Sequence, residues 1–475
     1  MSPHSSQSSN ISMAMAAPFL LLLPFLLSIL LLTSASPSTD VKPPAATITL
    51  PLSPLTKSHH KNPLQRLNHL ASLSIARAHH LKHRHENHSS PTKAHLLARG
   101  YGGYSLSLSF GTPPQTLPFI MDTGSSLVWF PCTHRYVCNQ CNFENVNPAK
   151  IPTYIPKLSS SVKILSCKNP KCRWVFGDVA PLNCTTETCP PYGLEYGSGS
   201  TSGLLLSETL RFPDKAVKGF VVGCSVFSSN QPSGIAGFGR GPESLPAQMG
   251  LKKFSYCLQS HDFDDKPKSS EMVLTGRSDS GDGETSGLSY TRFIKNKAAS
   301  NSAFQEYYYV NLRKISVGGK HLKVPYRFLV PGSDGNGGTM VDSGTTFTFM
   351  EKKVFEVVAQ EFTKQMANYS RATDVEKKTG LRPCYKFSEE KSVKYSELVF
   401  HFKGGAEMAL PAADYFSIVD GLGAVCLTIV TDDDPDAPEL AGGPSIILGN
   451  YQQQNIYLEY DLEKERLGFR KQICR

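Results

Sequence analysis

The 475-residue chain is 40% hydrophobic, enough apolar material for a large core, and its 37 Gly and 33 Pro favour turns and strands over long helices. Its formal charge of +9 invites a nucleic-acid partner, but residues 37–100 hold nine Lys or Arg against two acids, while residues 101–475 hold 40 against 38. The excess belongs to one segment, which argues against a basic nucleic-acid surface on the folded part.

Residues 18–32 form a 15-residue apolar run that ends in Thr33-Ser34-Ala35-Ser36. That is the length of a signal-peptide core with a small-residue cleavage site, and short for a membrane span. Residues 1–36 therefore read as a signal peptide cut near Ala35 or Ser36, with no stable membrane span expected; the lack of Lys or Arg before the run makes a signal anchor the alternative. Twelve Cys behind such a run point to an oxidising compartment and disulfides. Cys138-Asn139-Gln140-Cys141 has a metal-ligand spacing, but no second pair follows at zinc-finger distance, so no metal is expected.

Residues 37–100 carry nine of the 14 His and become more positive as pH falls through about 6.5. They begin Pro-rich. From Leu64 to Leu81 the spacing predicts a helix with Leu67, Leu70, Ala71, Ile75 and Ala78 on one face and basic residues interleaved. The residues alone allow either a linker or a leader that lies on the folded part.

Tyr104–Phe110 alternates as a strand, and Gly111-Thr112-Pro113-Pro114-Gln115 is a turn. The next strand delivers Asp122-Thr123-Gly124-Ser125 and a second apolar run, with Trp129, leaves it. The same arrangement recurs at Asp342-Ser343-Gly344-Thr345, between Thr339-Met340-Val341 and Phe347-Thr348-Phe349. A carboxyl set among apolar residues needs local partners. The Thr and Ser hydroxyls beside each Asp can donate, and the Gly lets the backbone turn its N–H groups toward the carboxyl. Two such turns face to face would share one proton, because both carboxyls cannot ionise at ordinary cost. That dyad can activate a water with one member and polarise a carbonyl with the other.

Between the tetrads, residues 132–189 form a Cys-rich insert, and residues 192–203 read as a hairpin with aromatic strand ends around a Gly/Ser tip. Phe254–Leu258 ends the first half, and the polar stretch 261–287 reads as an exposed loop. Asp334–Gly338 reads as a turn, residues 352–368 as a surface helix, and Asp432–Asp436 as a solvated acidic loop near a cleft that disfavours acidic substrate residues. Asn183 and Asn368 head glycosylation sequons.

The paired tetrads, the loops Ile235-Ala236-Gly237 and Ile447-Leu448-Gly449 downstream of them, and the Tyr196-Gly197 hairpin resemble the pepsin-like aspartic protease family. The crowded cysteines resemble its nepenthesin-type plant branch. The resemblance implies an all-β, bilobal fold with the cleft between lobes: a propeptide at 37–100, an N-terminal lobe at 101–275 and a C-terminal lobe at 276–475. It implies a secreted aspartic endopeptidase, extracellular or vacuolar, active at acidic pH without a cofactor, acting as a monomer on protein or peptide substrates and held inactive by its own propeptide. Asp122 and Asp342 would be catalytic, supported by Thr123, Gly124, Ser125, Ser343, Gly344 and Thr345. Tyr196 and Gly197 would form the substrate flap, with Trp129 bonded to the flap tyrosine. Disulfides would join Cys132 to Cys138, Cys141 to Cys224, Cys167 to Cys189, Cys172 to Cys184, Cys257 to Cys474 and Cys384 to Cys426. The alternative is a non-catalytic binding protein of the same fold, of the xylanase-inhibitor or extracellular-glycoprotein kind. A retroviral-type protease is excluded, since it carries one Asp motif per chain.

Overall fold

Alternation of apolar and polar residues sets the first strands. In Tyr104–Phe110, Tyr104, Leu106, Leu108 and Phe110 are buried while the intervening serines face outward. The strand pairs antiparallel with Gln115–Asp122 across the expected turn. The computed structural model describes residues 47–54, 62–83, 102–141, 147–176, 187–197, 199–260, 270–276, 285–296, 302–387, 394–419, 421–433 and 442–474. The expected signal peptide and Asn183 lie outside them. The fold is mostly β-sheet with few helices, in two lobes, as the sequence implies.

Six strands join the lobes in one antiparallel sheet. The order is Thr47–Pro54, Ser270–Gly276, Leu251–Cys257, Ile456–Asp461, Arg466–Lys471 and Ser289–Ile294. Two departures from the sequence reading sit here. Ser270–Gly276 is a strand rather than part of an exposed loop, because Met272 and Leu274 alternate into the core. The leader contributes the edge strand, with Thr47 through Leu52 paired to Thr275 through Ser270. The helix Lys352–Gln365 buries Val354, Phe355, Val358 and Phe362, the face its spacing indicated.

The disulfide expectations hold for Cys257–Cys474 and Cys384–Cys426 and fail in the insert. Cys132 bonds to Cys224, not to Cys138, because Trp129–Pro131 runs parallel beside Ala216–Ser229 and brings those two Cα atoms to 5.0 Å. Cys138 then bonds to Cys141 within its own turn, so Cys141–Cys224 does not form. Cys189 bonds to Cys172, on the short helix Cys172–Phe176, so neither Cys167–Cys189 nor Cys172–Cys184 forms.

Candidate active site

Both tetrads are delivered by the same local construction. Gln115–Asp122 ends at Asp122, and Gly234–Gly237 runs parallel beside it with Gly237 next to Asp122. In the second lobe Thr339–Val341 leads into Asp342, and Ile446–Leu448 runs parallel beside it. The strand leaving each tetrad passes on the other side, Ile235 pairing with Trp129 and Ile447 with Phe349. These threaded loops end in Gly because the turn backbone crowds them: a Cβ on Gly237 would lie 2.2 Å from the Ser126 carbonyl oxygen, and one on Gly449 2.4 Å from that of Thr346.

Each carboxyl is held by its own turn. The Gly124 N–H donates to Asp122 Oδ1 at 3.0 Å and the Ser125 hydroxyl to Oδ2 at 2.5 Å. Likewise the Gly344 N–H donates to Asp342 Oδ1 at 2.9 Å and the Thr345 hydroxyl to Oδ2 at 2.6 Å. Thr123 and Ser343 act differently from the sequence reading, which had them serving their own aspartates. Ser343 N–H donates to Thr123 Oγ1 at 2.9 Å, and Thr123 N–H to Ser343 Oγ at 3.0 Å. Their hydroxyls donate onward to the carbonyls of Val341 and Met121. This cross-lobe exchange could not be read from either tetrad alone, because each partner lies 220 residues away.

The crossing brings the carboxyls together. A Cβ on Gly344 would sit 2.4 Å from Asp122 Oδ1, and one on Gly124 2.7 Å from Asp342 Oδ1. Trp129 and Tyr196 meet as expected, the indole N–H donating to the tyrosine oxygen at 2.9 Å. Tyr196 belongs to the hairpin of Tyr192–Tyr196 and Gly199–Arg211, where it pairs with Gly199.

The leader helix, Pro63–His83, lies in this site. Its apolar face, Leu67, Leu70, Ala71, Ala78 and Leu81, is buried in one cluster with Tyr307, Met340, Phe347 and Val430 of the second lobe. Ser74 fixes the register by accepting from the Phe347 N–H at 2.9 Å. Arg77 then reaches both aspartates, Nη2 standing 2.8 Å from Asp122 Oδ1 and Nε 3.2 Å from Asp342 Oδ2. Burial opposes ionisation of Asp122, yet Arg77, Ser125 and the Gly124 N–H together hold it below the usual carboxylate range. Asp342 is pushed up by burial, against the pull of Arg77, with the charge of Asp122 adding to the rise. Burial disfavours the guanidinium charge as well, but the two carboxyls outweigh that, so Arg77 stays cationic.

Sequence reading singled out the helical face but not Arg77. The signal was present: Arg77 falls seven residues after Leu70, inside the apolar stripe, and a cation on a buried face requires a buried counter-charge. His79 Nε2 stands 2.7 Å from Asp432 Oδ2, and Lys82 Nζ 2.5 Å from Glu351 Oε1. Asp433 is held by Arg382. Asn368 is exposed in the turn after Lys352–Gln365.

Residues 104–274 match the family described as Xylanase inhibitor N-terminal, and residues 307–471 the one described as Xylanase inhibitor C-terminal. Aspartic proteinase nepenthesin-1 of Nepenthes gracilis is 32% identical over 386 residues, covering 79% of each chain. Aspartyl protease family protein 2 of Arabidopsis thaliana is 32% identical, over 80% of this chain and 72% of its own. Among solved structures, basic 7S globulin from soybean aligns with a TM-score of 0.57 at 16% identity, over 90% of this chain and 96% of its own, and conglutin gamma from lupine seeds with 0.58 at 17%, over 90% and 95%. These two share the fold. With both Asp turns, the flap and this sequence identity in hand, the chain belongs to the pepsin-like aspartic protease family, in its nepenthesin-type plant branch.

Proposed function

We propose that this chain is a secreted aspartic endopeptidase, made with its cleft closed by its own leader and working at acidic pH outside the cell. The observation that carries the reading is the symmetric pair of carboxyls, each held by a backbone N–H and a hydroxyl and pressed against the other's turn. One carboxylate takes a proton from a water lying between them while the other, protonated, donates to the oxygen of the scissile carbonyl. The tetrahedral intermediate then collapses as the leaving amine receives a proton, and the dyad returns to its singly protonated state. The cross-lobe bonds of Thr123 and Ser343 keep the carboxyls in register, and Tyr196 closes over the substrate. No step needs a metal or an organic cofactor.

Residues 37–100 act as the propeptide. Arg77 takes the position between the carboxyls that the attacking water needs, so the precursor is inactive until the leader departs. Export through the secretory pathway suits the disulfides among the described residues.

The test is cleavage of denatured globin by the secreted protein after acid treatment, across acidic to mildly alkaline pH, with and without pepstatin and beside Asp122→Asn. Acid activity lost to both pepstatin and the substitution supports the protease. A folded, correctly processed wild type without activity favours a non-catalytic binding protein, the reading that the xylanase-inhibitor family descriptions keep in view.

A further inference from the structure

Lys82 is the unusual cation of the leader. Its side chain is fully buried, and burial pulls its ammonium below the ordinary lysine range even though Glu351 partly restores it. A lysine survives such a position only where the surroundings answer its charge. Here the second lobe provides a seat: Nζ donates to Glu351 Oε1 at 2.5 Å and to the Pro444 carbonyl oxygen at 3.1 Å. The wall of the seat leaves no room for a side chain, since a Cβ on Gly443 would lie 2.9 Å from Lys82 Cα and 3.1 Å from the Phe304 ring. The main chain is recognised too, the Tyr307 hydroxyl donating to the Leu81 carbonyl at 3.1 Å.

Every group that makes this seat belongs to the second lobe and remains when the leader leaves. What stays behind is a carboxylate and a carbonyl aimed at one point, beside a hydroxyl able to bind a backbone carbonyl. Three residues earlier on the helix, His79 Nε2 stands 2.7 Å from Asp432 Oδ2, which sets a second carboxylate close to the seat. Asp433 is not part of it, since Arg382 already answers its charge.

We propose that the leader occupies a substrate subsite at Lys82, and that Glu351 with the Pro444 carbonyl selects a lysine or arginine side chain near the scissile bond. The proposal rests on the protease reading. Lys82 follows Arg77 by five residues, about 7.5 Å along a helix axis at about 1.5 Å per residue, and an extended substrate covers that in two to three residues at about 3.3 Å each. The cationic preference therefore falls two to three residues from the cut. It also makes Asp432, whose carboxylate meets His79, the neighbour of a pocket that attracts basic residues.

The experiment profiles the processed full-length protein on peptides that differ only by lysine or norleucine two or three residues from a common cleavage site. The readout is the ratio of kcat/KM for the lysine peptide over its norleucine partner. We expect a ratio well above one, falling by about tenfold or more in Glu351→Gln, the usual size of effect for removing one partner of a buried charge pair, and unchanged in Glu407→Gln, a carboxylate elsewhere on this lobe. Because each variant is compared with itself on two peptides, partial loss of folded protein does not move the ratio. Cleavage with a ratio near one in the wild type, or a ratio that Glu351→Gln leaves untouched, overturns the pocket and leaves the protease standing. No cleavage of any peptide overturns the protease reading, and this inference with it.

Discussion

Arg77 couples one side chain to both halves of the site, so its removal should be felt in the precursor. Taking away one partner of a buried ion pair costs roughly 3 kcal/mol or more, and here that weakens the leader's hold on the cleft. Arg77→Gln should therefore give unprocessed chain that cleaves peptide measurably where the wild-type precursor is silent. The pH sense follows from Asp122, whose carboxyl lies below the usual range while Arg77 is docked. The pair is intact above about pH 4 and fades only as pH falls through the depressed value. Asp342, raised instead, can take up its proton without breaking the Arg77–Asp122 pair, so limited proteolysis should find the helix still protected at pH 5. A second residue carries the opposite sign. Asp414 is fully buried, neither carboxyl oxygen has a hydrogen-bond partner among the described residues, and burial, weakly opposed by Lys471, pushes it up to about 8. It is protonated when folded and ionised when unfolded between about pH 4 and 8. Its share of stability is complete below that window and falls by roughly 1.4 kcal/mol per pH unit across it. Asp414→Asn should flatten the decline in denaturant-unfolding free energy over that range; an unchanged slope would assign the decline elsewhere.

At the scale of elements, the leader helix and the flap are fitted to each other through a glycine. A Cβ on Gly197 would lie 2.4 Å from Arg77 Cα and 2.6 Å from its nitrogen, both backbone atoms of a packed helix that cannot yield cheaply. Gly197→Ala should displace the helix while leaving the lobes folded, which increased protease sensitivity of residues 63–83 at an unchanged melting temperature of the remainder would show. Trp129 supports the same flap from below through its bond to Tyr196. Trp129→Phe keeps an aromatic ring, though a smaller one, but removes the donor and should loosen the tip, raising KM of the processed protein more than it lowers kcat.

For the whole molecule, the six-stranded sheet ties the lobes together and returns the C-terminal strands to the first lobe, where Leu251–Cys257 pairs with Ile456–Asp461. Cys257–Cys474 fixes that closure across 217 residues. A long closed loop gains the most from a crosslink, so Cys257→Ser with Cys474→Ser should destabilise by about 2–4 kcal/mol, seen as a lower denaturant midpoint. The leader's strand Thr47–Pro54 also belongs to this sheet, so the proposed removal of the leader would leave Ser270–Gly276 as a new edge.

The repeated tetrads, their apolar flanks and the glycine-ended loops carried the family resemblance that implied the fold and singled out the two aspartates, and they were legible because a buried carboxyl must bring its donors in adjacent residues, written side by side. The hairpin of residues 192–203 was legible from its aromatic strand ends and Gly/Ser tip, its role as a flap from the family resemblance, and the apolar face of the leader helix from local periodicity. What only the tertiary structure decided are the pairings between distant segments. Cys132 meets Cys224 because two strands run parallel, and no spacing in the insert announces it. Thr123 and Ser343 trade bonds across the lobes, and Arg77 and Lys82 find Asp122, Asp342 and Glu351 only when a helix docks against strands far along the chain. Local sequence prescribes what a group needs; which distant group supplies it depends on how the elements pack.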